Sequence, residues 1–212
     1  MLPGYPPVSS ASARRQLERL HVHVRTGTRV VHVDDRFVRV QGTDGSEETI
    51  PTHTVLWAAG VLASSFARTV AAATGAETDA AGRIRVTGEL TIPARPDILV
   101  VGDAAVMPWP GHPQVPGVAQ GAIQSGRFAA RSVLRRLAGE QTGPFRYRDR
   151  GDVAVIGRLR GVTNIGWLGP FGRQSGFIAW LLWLGIHIAY LIGFANRVVV
   201  ITRWAYSFLT RG

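Results

Sequence analysis

The chain has 212 residues, 46% of them hydrophobic, enough for one substantial core or for a domain with an anchor and too many for a disordered chain. Its formal charge is +10 and all 24 basic residues are Arg, a bias that points to a GC-rich coding sequence more than to chemistry. The cations are scattered and not interleaved with stacking aromatics, which argues against nucleic acid; with no Cys there is no disulfide, thiolate metal site or redox dithiol, so electron transfer needs a bound cofactor.

The opening Met1-Leu2-Pro3-Gly4-Tyr5-Pro6-Pro7 is turn-rich, does not read as a signal peptide and reads as a piece cut from something longer. Ser9 or Ser10 is placed to cap a short helix through Leu20, with Leu17 and Leu20 on its buried side. Val-rich runs at 21–24, 29–33 and 37–40 predict strands, and a Thr43-Asp44-Gly45 turn leads to another at 48–50. Residues 53–59 predict a buried strand running into Gly60. Ser64 or Ser65 caps a second helix ending near Gly75, and 98–101 is a short apolar strand ending at Gly102-Asp103.

From Gly117 the pattern becomes helical. Val118, Ala122, Ile123, Ala129, Ala130, Val133, Leu134 and Leu137 share a packing face, the arginines lie largely off it, and Gly139 ends the run. Residues 141–150 form a polar connection in which Phe145 and Tyr147 alternate, followed by a strand at 153–156.

Two segments carry chemistry. At Ile98-Leu99-Val100-Val101-Gly102-Asp103 a strand stops at a glycine, which permits close approach of a ligand, and then presents a carboxylate that can accept hydrogen bonds from ligand hydroxyls. The competing reading is an ordinary strand end with a solvated Asp. At Ala119-Gln120-Gly121-Ala122-Ile123-Gln124 a helix starts with small residues and two Gln at i, i+4, on one face, leaving room for a flat ligand over an N-terminus rich in N–H groups. Here the competing reading is a plain amphipathic helix with solvated glutamines.

Together these segments resemble the carboxyl-terminal half of the type II NADH dehydrogenases, single-chain flavoprotein NADH:quinone oxidoreductases. Further markers are Val55-Leu56-Trp57-Ala58-Ala59-Gly60-Val61, Phe145-Arg146-Tyr147 leading to Asp149-Arg150-Gly151, and Gly176-Phe177-Ile178-Ala179-Trp180-Leu181. The A-Q-x-A-x-Q pattern at Ala119 to Gln124 is the most specific of them. The resemblance implies an α/β fold, an incomplete two-dinucleotide-binding (Rossmann-like) flavoprotein with a carboxyl-terminal membrane-associated helical region. Its parts would be the distal NADH-binding domain at 1–61, the second FAD-binding segment with the quinone-site helix at 62–164, and anchoring helices at 165–212.

The resemblance further implies that Gly102 and Asp103 meet the ribityl hydroxyls of FAD and that backbone at Ala119 and Gln120 meets the isoalloxazine. Gln120 and Gln124 would border the quinone, Ala59 and Gly60 would lie on the nicotinamide side, and Arg150 would stand at the flavin edge or the quinone mouth. Substrates would be NADH and a membrane quinone. The family's two G-x-G-x-x-G turns do not occur in the sequence, so the phosphate-binding parts of both nucleotide sites are missing from it. A non-catalytic membrane-associated remnant, or a partner subunit binding lipid and a second polypeptide, is therefore the rival function. Sulfide:quinone oxidoreductases and disulfide reductases need cysteines that this chain lacks.

Residues 153–212 hold six Arg and no Asp or Glu, around an apolar run at 177–195. That run is close to the roughly 20 residues a helix needs to span hydrocarbon, so length alone does not separate spanning from lying flat. Beyond it, Ile201, Trp204, Ala205 and Phe208 fall on one stripe and Arg203, Ser207 and Arg211 on a neighbouring one, as in an interfacial amphipathic helix. The pair predicts monotopic attachment to lipid through residues 176–212 on the cytoplasmic face of the cell membrane. A buried helix pair or a homodimer seam is the competing reading. His187 has no metal-spaced partner, and no metal site is expected.

Overall fold

The computed structural model describes residues 2, 4–191 and 193–210. Pro3 of the opening turn, Ile192 of the apolar run and Arg211 of the polar stripe lie outside the described residues, as do Met1 and Gly212. In chain order the elements are α1 (Pro7–Glu18), β1 (Thr28–Val33), β2 (Phe37–Gly42), β3 (Glu47–Pro51), α2 (Ser65–Thr74), β4 (Ile84–Arg85), β5 (Thr91–Ile92) and β6 (Arg95–Leu99). They continue with β7 (Ala105–Val106), α3 (Ala119–Leu137), β8 (Asp152–Gly157), β9 (Arg160–Asn164), α4 (Phe177–Tyr190) and α5 (Phe194–Thr210). One compact unit takes the described residues up to Val55 and those from Arg150 onward, and a second takes Leu56–Asp149.

In the first unit α1 starts earlier than the serines suggested. Pro6 is the N-cap, proline occupies the first helical turn where its missing N–H costs nothing, and Ser9 is buried on the inner face with Ala13 and Gln16. Leu20 stays exposed. Gln16 Nε2 donates to the Gly161 carbonyl at 3.2 Å, docking α1 on β9. Strands β1, β2 and β3 form an antiparallel meander whose second turn is closed by Asp44, accepting from Ser46 N–H at 3.0 Å. Residues 21–24 join no strand, and all six residues of β1 are exposed.

Hairpin β8–β9 supplies the centre of this unit. Val162 and Thr163 are fully buried, and Thr163 Oγ1 donates to the Gly172 carbonyl while accepting from Gln174 N–H, each at 2.8 Å. Helix α4 crosses at Gly161, where an added Cβ would lie 3.2 Å from Trp180 N, so the close approach requires glycine. The apolar run is not one helix. α4 ends at Tyr190, Leu191 turns extended (φ −65°, ψ 131°), and α5 begins at Phe194. At 14 residues α4 is about 21 Å long, short of the roughly 30 Å of bilayer hydrocarbon. Among the described residues no helix is long and apolar enough to cross a membrane.

In the second unit α2 begins and ends where the sequence indicates. Ser64 is the N-cap and accepts from Ala67 N–H at 3.4 Å, and Gly75 follows the last turn. One cluster packs Ala63, Ala67 and Ala71 on Ile84 and Ile92; another packs Leu90, Ala105, Met107 and Val115 on Phe145 and Tyr147. Strands are short: β4 pairs parallel with β7, and β5 antiparallel with β6. Residues 53–59 do not form the buried strand the sequence predicts, and Leu56 (90%) and Trp57 (65%) are exposed. On α3 the expected packing face is also corrected. Val118, Ala122, Ile123 and Ala129 are half-buried and Gly121, Ser125 and Ser132 buried, whereas Leu134 (67%) and Leu137 (80%), in the last turns, face outward.

Candidate functional site

The second unit builds a site from the end of β6 and the start of α3. The ladder stops at Leu99, and residues 100–101 continue extended outside it, held by Val100 N–H donating to the Leu90 carbonyl at 2.9 Å. Gly102–Ala104 then form a single 3-10 turn. Gly102 has φ +63°, the left-handed region that disfavours a side chain, and the turn leaves the Asp103 carboxylate exposed. An added Cβ on Gly102 would sit 3.4 Å from Ala122 Cβ, so the turn lies directly on the helix.

Ser125 fastens that contact. Its side chain is fully buried; Oγ accepts from Gly102 N–H at 3.1 Å and donates to the Ala122 carbonyl at 3.1 Å. One hydroxyl thus satisfies a loop donor and a helix acceptor, and fixes the Asp103 turn relative to the first turns of α3. α3 opens at Ala119 with no side-chain cap, so its first backbone N–H groups are not consumed by a capping side chain. Ala119 is exposed and Gln120 half-buried. Gly121 keeps the start of the helix tight, since a Cβ there would lie 3.1 Å from the Pro116 carbonyl oxygen.

Gln124 shares the face of Gln120, one turn on. Its Nε2 donates to the Arg148 carbonyl at 2.9 Å and its Oε1 accepts from Arg148 N–H at 3.0 Å. This two-bond clamp holds the segment at 145–149, in which Phe145 packs edge-on against Phe128 (5.5 Å) and Tyr147 against Trp109 (5.0 Å). The alternation read from the sequence at Phe145 and Tyr147 is therefore burial, with Arg146 and Arg148 outward.

Of the residues expected at the site, Gly102, Asp103, Ala119, Gln120 and Gln124 come together here. Ala59 and Gly60 lie in an exposed, irregular stretch of the same unit and make no described hydrogen bond to that group. Arg150 belongs to the other unit, where Nη1 donates to the Tyr190 hydroxyl at 2.9 Å, at the last residue of α4. No group of three or more His, Asp or Glu able to hold a metal occurs among the described residues. Sequence reasoning missed Ser125. The signal for it is a stripe of small residues, Gly121, Ser125 and Ser132, at i, i+4 and i+11 on one face of α3.

An exposed carboxylate on a turn, an uncapped helix start and two amides suit a ligand that is bound through hydroxyls and a flat polar ring. Residues 1–126 match the pyridine nucleotide-disulphide oxidoreductase family, and the chain belongs to it. More narrowly, the chain is 38% identical over 211 residues to the type II NADH:quinone oxidoreductase Ndh of Mycobacterium tuberculosis and 36% identical over 216 residues to NdhA of the same organism. These alignments cover 97% and 100% of this chain but 44% of each relative, so the chain spans less than half the length of the curated relatives it matches. Its fold is similar to that of NDH2 from Plasmodium falciparum, solved in complex with NADH, with a TM-score of 0.81 at 13% identity over 99% of this chain and 56% of that one.

Proposed function

We propose that this chain is the acceptor-side portion of a flavin-dependent NADH:quinone oxidoreductase, acting together with a polypeptide stretch that carries the Gly-rich dinucleotide turns. The observation that supports it best is the Ser125 bridge, which brings the Gly102-Asp103 turn and the uncapped start of α3 into one group. The residues fit a flavin. Asp103 is an exposed acceptor for ribityl hydroxyls, Gly102 leaves no side chain in the way, and backbone at Ala119 and Gln120 offers polar contacts to the ring. When bound, FAD would supply the two-electron chemistry between NADH and a membrane quinone.

The remaining work falls to side chains. Gln120 and Gln124 border the quinone; an amide carries two N–H donors and two acceptor lone pairs, so Gln124 retains capacity beyond its Arg148 clamp. Ala59 and Gly60 serve the nicotinamide side, and Arg150 the flavin edge or quinone mouth. The arginine-bearing tail, α4 with α5, attaches to the cytoplasmic face of the cell membrane without spanning it, as the 14-residue length of α4 supports.

In protein completed with its dinucleotide-binding stretch, Asp103→Ala should lower flavin occupancy, while Gln120→Ala and Gln124→Ala should raise the KM for quinone and leave that for NADH unchanged. Wild-type quinone kinetics in both Gln variants would refute the assignment of that face. The 212-residue chain alone should hold little FAD. A second reading, a membrane-associated partner subunit without its own catalysis, is favoured by the exposed Leu56, Leu134 and Leu137 of the second unit, which a further polypeptide would cover. DNA upstream of Met1 separates the two: in-frame Gly-rich turns support the enzyme, and a start site there supports the partner.

A further inference from the structure

Helices α4 and α5, with Arg158, line a groove of about 570 Å³. Trp180, Trp183, Ile188, Ile201, Trp204 and Phe208 form its walls. The indoles are ordered: Trp183 and Trp204 stack at 5.6 Å with 14° between their planes, and Trp180 meets Phe208 at 5.8 Å. α5 buries no residue completely, so the groove is a standing apolar cleft and not a filled core. Its volume lies within the range of about 300 to 1,000 Å³ typical of small-molecule sites.

One side of the groove is cationic. Arg158, on the β8–β9 turn, lies over the Phe208 ring with its guanidinium carbon 4.0 Å from the centroid and donates through Nη2 to the Phe208 carbonyl at 2.5 Å. The guanidinium is thus anchored at the lining, where its charge is fixed relative to the apolar walls. The described stretch from Val153 to Thr210 carries Arg158, Arg160, Arg173, Arg197 and Arg203 and no Asp or Glu side chain.

We propose that this groove binds one acyl chain of an anionic phospholipid, with the lipid phosphate at Arg158. The inference rests on the reading that the tail attaches to membrane, and it adds a saturable site to a surface otherwise treated as a general lipid contact. The walls supply chain burial, and the guanidinium, which is planar and suited to phosphate, selects the headgroup.

The test uses the intact 212-residue chain and short-chain phosphatidylglycerol or phosphatidylcholine, monomeric in solution and brominated on the acyl chain. Three of the six Trp line the groove, so bromine should quench a fraction of the fluorescence, saturating at one lipid per chain. The anionic lipid should bind about fivefold more tightly, the upper range for a solvent-exposed charge pair, and salt should erase the difference. Arg158→Gln keeps a donor for the Phe208 carbonyl and should remove the headgroup preference but not the quenching. Ala205→Phe, filling the groove, should remove saturable quenching while the chain still sediments with anionic vesicles; circular dichroism of each variant checks the fold.

Sedimentation with vesicles but no saturable quenching would overturn the groove site and leave attachment standing. Saturable quenching without sedimentation would do the reverse. Equal binding of the two headgroups, or displacement of the anionic lipid by a neutral isoprenoid amphiphile at lower concentration, would overturn the anionic occupant.

Discussion

Replacing Ser125 by Ala removes both hydrogen bonds that join the Asp103 turn to α3 without creating a clash. The hydroxyl is fully buried and Gly102 half-buried, so the Gly102 N–H loses the acceptor it faces inward. Leaving a buried donor unsatisfied costs about 1 to 3 kcal/mol, whereas the Ala122 carbonyl retains its helical partner and contributes little. At 1.36 kcal/mol per tenfold, the protection of the Gly102 amide against hydrogen exchange should fall by roughly 5- to 160-fold. The assay is residue-resolved exchange in the purified chain, with α2 amides, capped independently by Ser64, as the internal control. Ser125→Thr, which retains a hydroxyl, should lie between wild type and Ala. Unchanged exchange at Gly102 in Ser125→Ala would refute the bridge, and with it the reason for placing Asp103 beside the start of α3.

Arg197 donates through Nε to the Leu191 carbonyl and through Nη2 to that of Ala189, both at 2.9 Å, satisfying two acceptors at the end of α4. Arg197→Ala should therefore speed exchange in the last turn of α4 by roughly 5- to 30-fold, equivalent to about 1 to 2 kcal/mol, with no change in β8–β9; equal protection in the two proteins would refute the cap. Burial, and secondarily the Asp152 carboxylate, push the Tyr5 hydroxyl up to about 12 from its ordinary value near 10. Its ionised form is thus disfavoured in the folded chain, so this contribution to stability is intact below pH 10 and is lost as pH rises from 10 toward 12. Absorbance titration should show a late-ionising component that Tyr5→Phe removes, and a late component unchanged in Tyr5→Phe, or none in the wild type, would refute it.

Local rules were legible and long-range ones were not. Ser64 and Gly75 bound α2 by interactions within a turn, so their positions in the sequence suffice. The 177–195 run hides its break because its composition is uniformly apolar while the break is a backbone event at Leu191, where Arg197 reaches back from the next helix. The face of α3 misled for a different reason. Leu134 and Leu137 have the periodicity of a core, but periodicity says only that a partner surface is expected, not that the 212 residues contain it. Residues 53–59 have strand composition and lack a partner strand in the same way.

The site shows where such reading stops. That Gln120 and Gln124 share a helix face follows from spacing alone, and the structure agrees. What Gln124 touches does not follow from spacing, since Arg148 lies 24 residues away and contributes backbone, whose donor and acceptor are the same for every non-proline residue. A side-chain amide that pairs with both the N–H and the C=O of one residue mimics one rung of a strand ladder and holds the segment by two hydrogen bonds. The amide therefore fixes the segment bearing Arg146 and Arg148 relative to the first turns of α3. Ser125 does the same for the Asp103 turn. The two polar ligand candidates most visible in the sequence, a carboxylate and an amide, thus depend on neighbours whose chemistry is ordinary and whose placement only the fold reveals.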